Sequence, residues 1–66
     1  MTFPQKLRDL RTQHQLSQDQ LANQLGVSRQ TIIAIENNKY NPTLELAMKM
    51  ARQLNTTVEE LFELED

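Results

Sequence analysis

The chain has 66 residues, a formal net charge of −2 and no cysteine. A chain of this length forms one domain, and the absence of cysteine excludes a disulfide framework and a thiolate metal site. The sequence also contains no apolar run long enough to cross a membrane and no signal-peptide pattern, so we expect a cytoplasmic protein without a membrane partner.

Charge is distributed unevenly along the chain. Residues 1–54 carry seven basic and four acidic side chains, a net charge of +3, whereas residues 55–66 carry five acidic side chains and no basic one. The overall negative sign therefore describes the C-terminal segment, and it does not exclude a nucleic acid as a partner of the rest.

Apolar residues recur at spacings of three and four almost throughout, which predicts an all-α fold. Five helices are expected, running to about residue 14, from 18 to 25, from 29 to about 37, from 44 to about 54, and over a short segment that begins at residue 58. Their expected N-caps are Ser17, Ser28, Thr43 and Thr57, with Gln20 and Glu60 completing capping boxes. Gly26 stands where the second helix needs a left-handed residue to end it, so a three-residue turn separates the second and third helices.

Two helices joined by such a turn are typical of a helix-turn-helix motif, here covering about residues 17–37. In the third helix Ile32 and Ile35 point to one side, and the opposite side carries five residues: Arg29, Gln30, Ile33, Ala34 and Asn37. Arginine and glutamine can each make paired hydrogen bonds to a purine edge, and small apolar groups can meet a thymine methyl. The pattern alone also fits ordinary solvated side chains, and it leaves the two interpretations open.

The run LSQDQLANQLGVSRQTIIAIENNKYNP, followed by TLELAMKMARQLNTTVEELF, resembles the Cro/CI-type (Xre) helix-turn-helix family, especially its short free-standing bacterial regulators. The resemblance extends from about Leu7 to Phe62. It implies a lambda-repressor-like domain over residues 1–66 that binds double-stranded DNA and regulates transcription near the nucleoid. It further implies a homodimer on a two-fold-symmetric operator, with repression as the expected mode.

Carried over residue by residue, the resemblance and the outward face of the third helix give one candidate DNA-binding set. Its members are Gln18, Ser28, Arg29, Gln30, Thr31, Ile33, Ala34, Asn37, Lys39 and Tyr40. Asn37, Lys39 and the loop around Tyr40 match backbone-contacting positions, although a loop tyrosine can equally pack against its own domain. The family also implies a structural ion pair between Arg11 and Glu36. Asn38 replaces a glycine that is common in the family, and asparagine tolerates a left-handed backbone.

The fourth helix has more apolar surface than one core requires. We expect a core stripe of Leu44, Ala47, Met50, Ala51 and Leu54. Leu46 and Met48 widen the apolar arc to about 200°, against roughly 100° for a helix on a single core. Together with Leu64 they predict a homodimer interface within residues 44–66, while a monomer that packs these edges under its own loops stays open.

No enzymatic activity, cofactor or small-molecule ligand is expected. Ser17 and Ser28 occupy N-caps, and no histidine–carboxylate pair accompanies either of them. The one histidine, His14, lies on the expected apolar face of the first helix as a partly packed side chain, and one histidine without cysteine cannot build a zinc site. The alternative function is a protein-interaction module such as an antitoxin-like partner-binding protein, although the chain has no long extra segment to wrap a partner.

Overall fold

The structure is a computed structural model that describes the backbone of residues 3–62 and the side chains of residues 6–62. It contains five helices, which confirms the all-α prediction. They are α1 (Phe3–Gln13), α2 (Gln18–Leu25), α3 (Arg29–Glu36), α4 (Leu44–Gln53) and α5 (Val58–Leu61). Within the described residues, no helix combines the length and apolarity needed to cross a membrane.

The N-caps lie where the sequence predicts them. At α2, Ser17 Oγ accepts from the Gln20 backbone N–H at 3.0 Å, and Gln20 Oε1 accepts from the Ser17 N–H at 2.8 Å. Ser28 and Thr43 cap α3 and α4 in the same way through one hydrogen bond each. These caps satisfy backbone donors that helix geometry leaves without a partner, and they fix where α2, α3 and α4 begin.

The capping box predicted for α5 is wrong in one half. Thr57 Oγ1 accepts from the Glu60 N–H at 3.2 Å, as expected. A capping box would also have the Glu60 carboxylate accept from the Thr57 N–H. Instead, that carboxylate accepts from the Thr56 hydroxyl at 2.8 Å. A hydroxyl one residue earlier offers a short bond to the charged carboxylate, which competes well with a backbone N–H.

Four helices end in the same Schellman motif. One residue shortly after each of these helices adopts a left-handed backbone: Gln15 after α1, Gly26 after α2, Asn38 after α3 and Asn55 after α4. At each end the next backbone N–H bonds the carbonyl five residues earlier, as in Val27 to Ala22 at 3.0 Å and Lys39 to Ala34 at 2.8 Å. The left-handed conformations of Gly26 and Asn38 are thus confirmed, whereas Gln15 was not predicted because glutamine carries no turn signal.

Gly26→Ala is expected to lower the free energy of unfolding by about 1–2 kcal/mol. Gly26 has φ 73°, and a Cβ built there would meet no atom within 4 Å, so the cost comes from the backbone alone. Urea titration followed by circular dichroism measures the loss. Gly26→Asn is the matched control and should lose less, because asparagine tolerates this conformation. Equal losses in the two variants would show that backbone strain is not the cause.

The core draws on all five helices. Its fully buried large side chains are Leu7, Leu21, Ile32, Ile35, Met50, Leu54 and Leu61. Half-buried apolar residues pack around them, including Leu16 and Val27, which precede the N-caps of α2 and α3. These staple contacts hold the motif's two helices against the rest of the domain.

The predicted rotation of α4 is wrong at two leucines. Leu46, expected on a dimer surface, is only 9% exposed and lies in the core cluster with Leu25, whereas Leu44, expected in the core, is 69% exposed. Helical spacing predicts the stripe but not which edge of a 200° apolar arc turns inward. Met48 is 51% exposed, as an interface residue requires. Leu64 lies outside the described residues.

The packed environment predicted for His14 is also wrong. Its side chain is exposed, because α1 ends at Gln13 and the chain turns through the left-handed Gln15. The His14 N–H still bonds the Leu10 carbonyl at 3.0 Å. The side chain therefore leaves the apolar stripe where the helix itself ends.

Candidate nucleic-acid interface

The outward face of α3 is free of acidic side chains. Arg29, Gln30 and Asn37 are exposed, and Ile33 and Ala34 are half-buried at the edges of the same face. Ile32 and Ile35, on the opposite side, are completely buried and anchor the helix. The sequence prediction of which residues of α3 face outward is confirmed.

Glu36 is the one acidic residue of α3, and its side chain is completely buried. Arg11 Nε donates to Glu36 Oε2 at 2.7 Å, and Arg11 Nη2 donates to Oε1 at 3.2 Å. Arg11 Nη1 also donates to the Leu16 carbonyl at 2.8 Å. This bidentate pair joins α1 to α3 and removes a negative charge from the outward face of α3.

Gln18 has a structural partner in addition to its predicted place at the interface. Its Nε2 donates to Glu36 Oε1 at 3.1 Å, and the side chain is half-buried at the start of α2. Because a carboxylate only accepts hydrogen bonds, Glu36 fixes which end of the Gln18 amide turns towards it. Gln18 therefore links the beginning of α2 to the end of α3.

Ser28 and Thr31 are occupied by the N-cap of α3. Ser28 Oγ accepts from the Thr31 N–H at 3.2 Å, and the two hydroxyl oxygens are hydrogen-bonded at 3.0 Å. Ser28 is exposed and Thr31 is half-buried. Both belong to the predicted DNA-binding set, and in the free protein their hydroxyls stabilise the start of α3.

The loop after α3 carries the predicted backbone-contacting residues. Asn37 and Lys39 are exposed, and the left-handed Asn38 between them turns the chain away from α3. Among residues 6–62, no carboxylate pairs with Lys39. Tyr40 is 43% exposed, and it lines a surface groove with residues of the α2–α3 turn and α4. The tyrosine is thus partly packed against its own domain.

The comparison with known families agrees with this geometry. A helix-turn-helix family profile matches residues 7–61, which includes most of the chain and the whole α2–α3 motif. The chain belongs to the Cro/CI-type helix-turn-helix family.

Relatives of this helix-turn-helix chain cover it almost completely. An uncharacterized HTH-type transcriptional regulator of Methanocaldococcus jannaschii is 52% identical over 61 residues, which is 92% of each chain. The crystal structure of the restriction-modification controller protein C.AhdI from Aeromonas hydrophila superposes with a TM-score of 0.85 at 38% identity, again over 92% of each chain.

Of two longer relatives, one is named a repressor and the other an activator. A cryptic phage CTXphi transcriptional repressor of Vibrio cholerae is 37% identical over 89% of this chain and 53% of its own length. An HTH-type transcriptional activator of Enterococcus faecalis is 39% identical over all of this chain and 32% of its own length.

Sequence reasoning missed one basic residue of this helix-turn-helix domain. Arg8 lies on α1 three residues before Arg11, and its Nε is 3.6 Å from Glu36 Oε1, with 56% of its side chain exposed. Spacing of three on a helix places two residues on neighbouring parts of its surface, so the Arg11–Glu36 pair could have indicated Arg8.

Proposed function

We propose that this regulator binds DNA sequence-specifically, with α3 in the major groove and two copies on a two-fold-symmetric operator. The observation that carries the proposal is the outward face of α3, where Arg29 and Gln30 are exposed and the helix's acidic residue, Glu36, is buried. Arginine and glutamine are side chains that read guanine and adenine in the major groove. Repression follows where such an operator overlaps a promoter, since a bound dimer excludes the polymerase.

Binding to the DNA upstream of the chain's own gene tests this function. Fluorescence anisotropy is measured with that duplex and with a scrambled duplex of equal length, each at two salt concentrations. We expect tighter binding to the upstream duplex at both. Equal affinity for the two duplexes would contradict sequence-specific binding at this site, and no binding to either would favour the protein-interaction module instead.

Repression and activation are separated by a reporter placed behind the same upstream DNA. We expect lower expression when the protein is present, and we expect Gln30→Ala to restore it. Higher expression in the presence of the protein would contradict repression without contradicting DNA binding. The proposed action places the protein in the cytoplasm, at the nucleoid.

The dimer is proposed to form through the α4 side of the domain. Leu44 and Met48 are 69% and 51% exposed, lie four residues apart on α4, and border the buried Ala47 and Ala51. Residues spaced by four share one helix face, so the two exposed side chains form a continuous apolar patch. A second copy covering this patch would hold two α3 helices at a fixed separation, as binding to successive half-sites requires.

Changing Leu44 and Met48 together to serine is expected to convert a dimer into a monomer. Both side chains are exposed, so the fold of each protomer should persist, and circular dichroism checks that it does. Analytical ultracentrifugation at micromolar concentration measures the association state. Gln53→Ser, an exposed change at the end of α4, is the control. A monomeric wild-type protein, or a dimer that survives the double change, would contradict this interface.

Lys39→Ala is expected to weaken binding to specific and random DNA by the same factor. A lysine on a phosphate carries no sequence information, but it releases a counterion, so its loss should reduce the salt slope by about one per protomer. Lys49, which pairs with Glu45 at 3.5 Å on α4, provides the matched Lys49→Ala control. Identical salt slopes for both variants and the wild type would remove Lys39 from the interface.

A further inference from the structure

Three donor side chains, those of Arg8, Arg11 and Gln18, approach Glu36 Oε1 at the C-terminal end of α3. Gln18 Nε2 lies 3.1 Å from Glu36 Oε1, and Arg8 Nε lies 3.6 Å from the same oxygen. Glu36 is the last residue of α3 and is followed directly by Asn37, which is exposed. Arg8 and Gln18 therefore lie near each other at the C-terminal end of α3, next to the exposed Asn37.

The charges in this cluster do not cancel. Arg11 already donates two hydrogen bonds to the Glu36 carboxylate, at 2.7 and 3.2 Å, and it donates a third to the Leu16 carbonyl. Arg8 therefore adds a positive charge that the buried carboxylate does not need, since one carboxylate faces two guanidinium groups. Together these three ionic side chains carry a net charge of +1.

The Arg8 guanidinium also keeps donors that no group of the described residues uses. Its side chain approaches Glu36 through Nε at 3.6 Å, and 56% of that side chain is exposed. A guanidinium has five N–H donors in a planar fork, which suits the oxygens of a phosphate. The Gln18 amide nitrogen has a second hydrogen besides the one that Glu36 accepts.

We propose that Arg8 and Gln18, held side by side on the carboxylate of Glu36, bind one phosphate group of the DNA backbone together. The inference rests on the proposed function and extends its interface to α1. Glu36 acts here as a positioning residue, because it touches both donors and is itself completely buried. The resulting contact orients the domain on DNA without reading the sequence.

Salt-dependent binding of the Arg8 variants tests the contact. We expect Arg8→Ala to reduce the slope of log affinity against log salt by about 0.9 per protomer, and to weaken binding to upstream and random duplexes by the same factor. Arg8→Lys should keep the slope, because the charge remains. Arg52→Ala removes an exposed arginine from the last turn of α4 and is the matched control, while thermal melting confirms that each variant is folded.

A double variant tests whether Arg8 and Gln18 share one phosphate. If they do, the fold-loss of Arg8→Ala combined with Gln18→Ala should be smaller than the product of the two single losses. A loss equal to that product would place the two side chains on separate phosphates and overturn the shared contact.

The failure of this inference is distinct from failure of the proposed function. If the wild-type chain binds DNA and Arg8→Ala has the same slope and affinity as Arg52→Ala, Arg8 is not at the interface and the inference alone is overturned. If the wild-type chain binds neither duplex, the proposed function falls and the phosphate contact falls with it.

Discussion

Replacing Arg11 with alanine should lower the free energy of unfolding by about 3–5 kcal/mol, because it leaves the buried carboxylate of Glu36 without its bidentate partner. The Arg11 side chain is only 14% exposed and the Glu36 side chain is fully buried, so the pair is shielded from water in the intact protein. The Gln18 amide at 3.1 Å and Arg8 Nε at 3.6 Å remain near the carboxylate, but together they are a weak substitute for a bidentate guanidinium. The Leu16 carbonyl would also lose its side-chain donor.

A loss of this size is large for a domain of 66 residues. Stability of roughly 0.05–0.15 kcal/mol per residue corresponds to about 3–10 kcal/mol in total. The Arg11→Ala protein should therefore keep at most about 7 kcal/mol of stability, and at the lower end of this range it would be mostly unfolded at 25 °C. Urea titration followed by circular dichroism measures the change, or shows directly that no folded baseline remains.

Two further variants distinguish the buried charge from the general loss of an arginine. Arg52→Ala, an exposed change, should stay within about 0.5 kcal/mol of the wild type. Arg11→Met combined with Glu36→Leu removes both charges and should recover part of the Arg11→Ala loss, because no buried charge is then left unpaired. A loss below about 1 kcal/mol for Arg11→Ala would contradict the role assigned to this ion pair.

The second large effect concerns recognition of bases by α3. Arg29→Ala and Gln30→Ala should each weaken binding to the specific duplex by about 1–3 kcal/mol per half-site. At 1.4 kcal/mol for each factor of ten, the expected losses range from several-fold to more than a hundredfold. Both side chains are exposed, so these losses should arise without a change in stability.

Random duplex DNA provides the control that isolates base recognition. Gln30 is uncharged, so Gln30→Ala should barely change binding to a random duplex. Arg29→Ala removes a positive charge and should also reduce non-specific affinity, but by less than it reduces specific affinity. If each variant lost the same small factor on both duplexes, α3 would not be reading bases.

Helix boundaries were predictable because local chemistry sets them. Ser17, Ser28 and Thr43 each satisfy a backbone donor within their own helix, and Gly26 adopts its left-handed conformation without help from distant residues. Gln15 shows the limit of such signals. It adopts φ 58° in the same C-terminal motif although nothing in its chemistry favours that conformation.

The rotation of α4 could not be predicted because it depends on long-range packing. Leu44 and Leu46 are the same residue type two positions apart, and packing against the rest of the core decides which one is buried. The exchange matters for function, since it moves the proposed dimer surface from Leu46 to Leu44 while keeping Met48. An amphipathic pattern with a narrow apolar arc would not have left this choice open.

The candidate site was predictable on α3 and incomplete elsewhere. Ile32 and Ile35 are buried, and helical periodicity then places Arg29 and Gln30 on the opposite, outward side of α3. Contacts between elements are different. Gln18 and Arg8 precede Glu36 by 18 and 28 residues, and both approach its carboxylate. The spacing of three from Arg11 could have indicated Arg8, whereas no local pattern indicates the bond of Gln18.

The most direct test of sequence-specific binding is selection of bound duplexes from a random-sequence DNA library, followed by sequencing of the enriched pool. The account predicts an enriched two-fold-symmetric motif, with half-sites centred about 10 base pairs, or a multiple of that, apart. It also predicts that selection with Gln30→Ala relaxes the base preference at one position of each half-site. A pool with no sequence enriched over the input library would contradict the account.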